Sequence, residues 1–493
     1  MRWTSFTAVT ALLTFATAVY FGLDFVVALA TVVAGVVGVV LLLRPPDSSV
    51  PAAKDLRRDS GWLLAAAVVV LASIALRLTT QTPGEARPAP VVPPVVPTPS
   101  GSSEPELVIE PELISATPQR RPGDAASGRP SLSDDGRYVA FTSAASNLAP
   151  GDTNARHDIF WVDRLTGERR LVSRGVSGQG GNAQSQFPAI CPSGNAVAFA
   201  SQATDLVDIP LARDRWRVYV WQRTAGHLRL ISPATGDADG DTLAPVMTAA
   251  CDQIAFMSDA TNWTTDAVGG VGVFVYDLAS KTARAVGRDL VGTVSPEDGH
   301  PSIDATGRRV AFAATVEGGQ RIEVLLWDED SARTTRLSRA VGSVSGYWPA
   351  LSRDGERVSY LARTDGDPEL VVWSVRDGAP AARWADVCLE VVTNGIRYAP
   401  GIASTPQGPI LMYQAIYEGH CRLIVRRVAD TGTITTVYAA GAAVTEPTIS
   451  ADGSTVAWAE TAPGDRGAMG FTLQVYACAR PRLTADRPTC SGR

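Results

Sequence analysis

Lysine is almost missing from this chain: Lys54 and Lys281 are the only two in 493 residues, and arginine carries nearly all the positive charge. Histidine is scarce too, with four residues, His157, His227, His300 and His420. All six cysteines lie at or beyond Cys191 and none forms a CxxC pair, which argues against a zinc site. No GxSxG elbow is present, so the nucleophile motif of an α/β-hydrolase is absent. Gly178-Gln179-Gly180-Gly181 falls in loop sequence rather than opening a helix, which makes it a weak nucleotide-binding loop. The formal net charge of −6 gives no reason to expect a nucleic-acid partner.

What the chain has instead is one stretch written seven times. Pro130 to Phe141 reads PSLSDDGRYVAF, and copies start at Pro188, Pro245, Pro301, Pro349 and Pro447, with a degraded copy at Pro400. Subtracting successive proline numbers gives spacings of 58, 57, 56, 48, 51 and 47 residues, a period that means a propeller or an array. Within each unit an apolar residue among small ones (Leu132, Ile190, Met247, Ile303, Leu351, Ile449) suits a short strand. Asp135-Gly136, Asp354-Gly355 and Asp452-Gly453 supply tight turns, since glycine takes positive φ cheaply. The Val-Ala-Phe runs that follow are apolar on both faces, as a strand packed between neighbouring sheets must be. Proline at the head of the unit is tolerable only on a sheet edge, where no N–H is missed. Third strands follow at Asp158 to Asp163, Val218 to Trp221, Val273 to Asp277 and Val324 to Trp327. Fourth strands are expected at Arg170 to Ser173, Leu228 to Ser232 and Thr335 to Ser338. Four strands per unit is a propeller blade.

These repeats resemble the TolB-type, WD-like propeller, with its pattern P-x-(apolar)-S-x-D-G-x-x-(V/I)-A-F. The resemblance spans about residues 107–478 and implies an all-β, seven-bladed propeller of four-stranded blades. The segment Glu112 to Ser115 looks like a fourth strand with no first three before it. It is expected to complete the seventh blade and close the ring, with 479–493 left as a tail and Pro481 to Thr484 as its rival for that outer place.

Residues 1–79 read as a membrane anchor. Apolar runs at 6–22, 25–43 and 62–78 have the length of transmembrane helices, with Asp24 dividing the first two. Arg44, Lys54, Arg57 and Arg58 mark the 44–60 linker as cytoplasmic, which puts the repeats on the other side. A cleaved signal peptide ending near Ala16-Thr17-Ala18 is the alternative for the first run, and it leaves the repeats on the same side. Residues 80–106 are a Pro-rich, semi-rigid stalk.

In that extracytoplasmic setting an even number of cysteines suggests disulfides. Cys191 and Cys251 occupy the same inner turn of adjacent repeats. Cys388 and Cys421 lie in neighbouring blades, and Cys478 with Cys490 would pin the tail. Buried free thiols are the alternative. Loops joining the second and third strands are long in the first three repeats (Ser143 to Arg156, Ser201 to Trp216, Ser258 to Gly270), which places recognition over those blades. The residues just before each proline line the central mouth: Arg129, Phe187, His300, Tyr347 with Trp348, Tyr398 and Glu446. Aromatic side chains with a few charges suit a peptide or sugar ligand; the alternative is that they cap the channel or pack between blades.

Asp152, Asn154 and Asp158 offer hard oxygens at alternate positions, as a calcium loop would, although an Asx-type turn explains the same spacing. No other cofactor is expected. TolB-like polysaccharide lyases hold a metal through several channel histidines, and here only His300 stands at such a position. The sequence therefore points to a binding or scaffolding module of the cell envelope, tethered to the bilayer and facing protein, peptide or glycan partners. The rival readings are an envelope glycan lyase or hydrolase acting at the mouth, and a sensor signalling through its spans.

Overall fold

The computed structural model describes residues 111–479, apart from 266–269, 288–291, 295–299, 317–320, 364–367, 389–399, 418–419, 430–433, 439–443 and 462–472. The chain divides into two units, Met1–Gly101 and Ser102–Arg493, and the described residues all belong to the second. The three apolar runs, the 80–106 stalk and the tail from 480 onward lie outside the described residues.

Seven antiparallel sheets form, one for each repeat. The first blade shows the plan: inner strand Ser127–Leu132, second strand Tyr138–Ser143, third strand Asp158–Asp163 and outer strand Arg169–Leu171. Inner strands of the next blades are Ser185–Ile190, Thr242–Met247, Ser345–Leu351, Gly401–Thr405 and Val444–Ile449, and each pairs on one side only. The repeat proline therefore sits on a free edge, where its missing N–H costs nothing. Blade four departs from the plan. Its inner strand is split into Gly292–Val294 and Ser302–Ile303, both paired to Arg309–Val316.

Blades hold together because alternate residues of each middle strand face opposite neighbours. Val139, Phe141, Phe160 and Val162 pack on Ala457, Ala459, Val475 and Ala477 of blade seven. Ala140, Ile159 and Trp161 pack on Val197, Phe199, Tyr219 and Trp221 of blade two. The two-faced apolar run read from the sequence has this cause: both of its faces are interior.

The ring closes as expected. Glu112–Leu113 pairs antiparallel with Leu473–Ala479 as the outer strand of blade seven. The N–H groups of Ile114 and Ser115 both reach the Val475 carbonyl, at 2.8 and 3.3 Å, and Ser115 Oγ donates to Gln474 Oε1 at 2.6 Å. The blade-four outer strand ends sooner than the sequence suggests, at Arg336, and Leu337–Ala340 turns into a short helix. There Ser338 Oγ accepts the Val324 N–H at 3.1 Å instead of extending the ladder. The outer strands of blades one and two likewise stop at Leu171 and Leu230.

Candidate functional site

The sequence did not signal how the mouth is made. Arg129, Phe187, Ala244, Trp348 and Glu446, each one residue before its repeat proline, have φ between 49° and 57°. At all five the pairing of inner and second strands slips, as a β-bulge inserts one extra residue. A left-handed non-glycine residue costs roughly 1 kcal/mol or more, so the surrounding sheet must enforce it. Bulges of this kind re-aim a side chain and recur beside functional sites.

Three of the side chains re-aimed in this way, from blades seven, one and two, meet one another. The Arg129 N–H donates to Glu446 Oε2, and its guanidinium Nε lies 3.5 Å from Glu446 Oε1. The same guanidinium lies over the Phe187 ring, 4.4 Å from its centroid. Phe187 in turn meets His300 edge-on at 5.5 Å and Trp216 edge-on at 6.2 Å. A continuous train of contacts thus runs from blade seven through blades one and two to blade four. Gly128 lies close to the pair: a Cβ on it would come 2.7 Å from Glu446 Oε2 and displace that carboxylate. Tyr347 and Trp348 form a second aromatic pair at 5.9 Å, and the buried Trp348 Nε1 has no hydrogen-bond partner. Tyr398 lies outside the described residues.

Two further groups at the mouth escaped the sequence reading. Trp216 ends the long loop of blade two, held by its N–H to Asp241 Oδ1 at 2.9 Å. His157 is pushed towards its neutral form, first by burial and then by Arg129, against an opposing pull from Glu446. Its position beside Asp158 marks it only as a loop residue until the ring is closed.

The opposite end of the channel is laced by the strand-one to strand-two turns. Asp452 N–H donates to the Asp134 carbonyl at 3.2 Å, and Asp134 N–H to the Pro192 carbonyl at 3.0 Å. Ala249 N–H reaches Ala305 O at 3.1 Å, and Ala305 N–H reaches Arg353 O at 2.8 Å. Between these two runs the Cys191–Cys251 disulfide joins blades two and three, with Cα atoms 5.6 Å apart, as the sequence suggested. An ion pair from Arg353 to Asp134 crosses from blade five to blade one. Cys388 and Cys478 are also disulfide-bonded, and no free cysteine occurs among the described residues. The side chain of Cys421 and the whole of Cys490 lie outside them, so those two pairings stay expectations.

The long loops of blades one to three are tied to the connections between blades. Asp124, between blades, accepts the Ser146 N–H and hydroxyl, both at 2.8 Å. Asp239 does the same for Thr261, at 2.7 and 2.6 Å, and Asn182 accepts the Thr204 N–H at 2.9 Å. The following Leu148, Leu206 and Trp263 are buried. Ala145-Ser146-Asn147-Leu148, Ala203-Thr204-Asp205-Leu206 and Ala260-Thr261-Asn262-Trp263 therefore form a second repeat that was legible in the sequence.

Asp152, Asn154 and Asp158 come together at the top of blade one. Asn154 Oδ1 accepts the Arg156 N–H at 2.8 Å, the Asx turn that the spacing allowed. Its amide nitrogen donates to Asp158 Oδ2 at 2.8 Å and to the Gly181 carbonyl at 2.7 Å. Burial raises the Asp152 carboxyl above its ordinary range and pushes Asp158 up to about 7, against hydrogen bonds from Ser173 and Asn154. Among the described residues no three His, Cys, Asp or Glu side chains cluster as a metal site.

No protein-family profile matches the chain, and no curated protein matches it. Solved structures are similar to it at low identity and modest overlap. TolB from Acinetobacter baumannii is 12% identical, over 73% of this chain and 65% of that one, with a TM-score of 0.37. An oligogalacturonate lyase in complex with manganese is 12% identical, over 73% of this chain and 92% of that one, with a TM-score of 0.45. A prolyl endopeptidase is 12% identical, over 76% of this chain and 51% of that one, with a TM-score of 0.46. The chain thus spans just under two thirds of that TolB and about half of the endopeptidase. These likenesses concern the fold alone.

Proposed function

We propose that the chain is a membrane-anchored, extracytoplasmic propeller that captures a protein or peptide partner of the cell envelope at the mouth ringed by Arg129, Phe187, His300, Trp348 and Glu446. The observation that carries this reading is the convergence of Glu446, Arg129, Phe187 and His300 from separate blades, the first three held by a strained bulge where an ordinary strand would be cheaper. A cation, an anion and several aromatic faces in one concave place suit a peptide that offers both charge and apolar surface. The Cys191–Cys251 bridge supports an oxidising compartment, and the apolar runs before residue 79 support the anchor.

The test is capture of envelope proteins by the full-length chain and by an Arg129→Ala/Phe187→Ala variant. Loss of the captured partner in the variant, with retention in a remote control such as Arg308→Ala, is the expected result. Equal capture by all three proteins sinks the mouth as the site. Protease added outside spheroplasts should cut the propeller; protection until lysis would sink the topology.

A further inference from the structure

In the first three blades the first residue of the third strand sits at the same rung, opposite a buried serine of the second strand. In blade one it is Asp158 opposite Ser143, and in blade two it is Arg217 opposite Ser201. Both are interior: Asp158 is 0% exposed and Arg217 is 1% exposed. Blade two balances its buried charge, since Arg217 makes a two-pronged pair with Asp237 at 2.8 and 2.7 Å. Near the start of the third strand two other blades carry ion pairs that are only partly buried, Glu323 with Arg336 and Glu369 with Arg383.

Blade one has no such balance. Asp158 takes hydrogen bonds from Ser173 Oγ and Asn154 Nδ2, both neutral groups. A second carboxylate, Asp152, is only 5% exposed, and its Oδ2 has no hydrogen-bond partner. Two interior carboxylates with no arginine or lysine paired to either are costly unless a positive charge joins them. The chain also packs closely around this spot. A Cβ at Gly180 would lie 2.6 Å from Asn154 Nδ2 and 3.1 Å from Asp158 Oδ2, while the Gly180 N–H ties to the Gly151 carbonyl at 2.8 Å.

We infer that this place is a calcium site, in which Asp152 and Asp158 supply carboxylate oxygens and Ca2+ takes the part that Arg217 has with Asp237 one blade on. Calcium fits better than magnesium, because it accepts carboxylates, carbonyl oxygens and water at irregular angles, whereas magnesium demands near-octahedral order. The bound ion would fasten the Gly151 to Asp158 loop to the Gly178 to Gly181 connection into blade two, next to His157 and the mouth.

The test is calorimetric titration of CaCl2 into chelator-treated full-length protein at pH 7.5, with thermal unfolding in 1 mM CaCl2 and in chelator. One ion per chain is expected, with a dissociation constant of about 10⁻⁴ M or tighter, and a melting temperature about 2–4 °C higher with calcium. Asp152→Asn and Asp158→Asn should each abolish that rise while melting no lower than wild type in chelator, because each removes an interior charge. Glu329→Gln, remote from the loop, should keep the full response. Absence of heat and of any shift at 5 mM CaCl2 would overturn the assignment, as would a response that survives in both variants. A melting temperature that climbs from pH 8 to pH 6 and ignores calcium would give the balancing role to a proton and overturn it equally.

Discussion

Arg217 shows what a buried charge is worth in this fold when it has a partner. Its guanidinium also donates to the carbonyls of Ala212 and Arg215, at 2.8 and 3.1 Å, so truncation strands three acceptors at once. Arg217→Ala is expected to cost about 3–5 kcal/mol, read as a lower midpoint in urea. Asp163 makes the complementary case. Arg137 holds it through two hydrogen bonds of 2.9 and 2.7 Å and draws its carboxyl down to about 2. A carboxyl depressed in the folded state adds stability that is complete above its unfolded value near 4 and is lost as the pH falls towards 2. Arg137 is partly exposed, so solvent screens part of that stability. Wild type should therefore be more stable than Asp163→Asn at pH 6, and the gap should close between pH 4 and pH 2 in melting curves.

Among the elements, the inner strands were the most legible. Their proline, apolar residue and Asp-Gly turn could be read directly, and Gly136, Gly355 and Gly453 have φ of 65°, 72° and 69°, as such turns require. The bulge one step earlier could not be read, because a residue before proline ordinarily prefers extended backbone. The five bulges run against that local preference, so nothing in the repeat itself announces them. Trp216 and His157 lie far along the chain from Phe187 and Arg129 and come near them only when each blade has folded. The loop braces are local, and their small-polar-polar-apolar pattern is legible in the sequence. They also predict behaviour. Asp239→Ala frees the Thr261 N–H and hydroxyl on an exposed loop, so limited proteolysis should cut near residues 259–265 sooner. The melting temperature should move by only about 1–2 °C, because solvent replaces those bonds.

For the whole molecule, closure is the feature on which the ring depends. Deleting the chain through residue 116 removes the outer strand of blade seven and the Ser115 bonds to Gln474 and Val475. It bares the edge of Leu473–Ala479, so the truncated chain should melt lower and self-associate on size exclusion. Reduction of the Cys191–Cys251 bridge, which closes a separation of 60 residues, should lower stability by about 3–4 kcal/mol.

That closing strand also sets an order of events during synthesis. Ser115 leaves the ribosome long before Val475, its partner 360 positions later. The first six blades can pair within themselves as they emerge, but the seventh must wait for Leu473–Ala479 to meet Glu112–Leu113. Contacts so distant in sequence form slowly, so the last step of maturation is a homecoming across nearly the full span, and a nascent chain stalled before that point would remain an unsealed crescent.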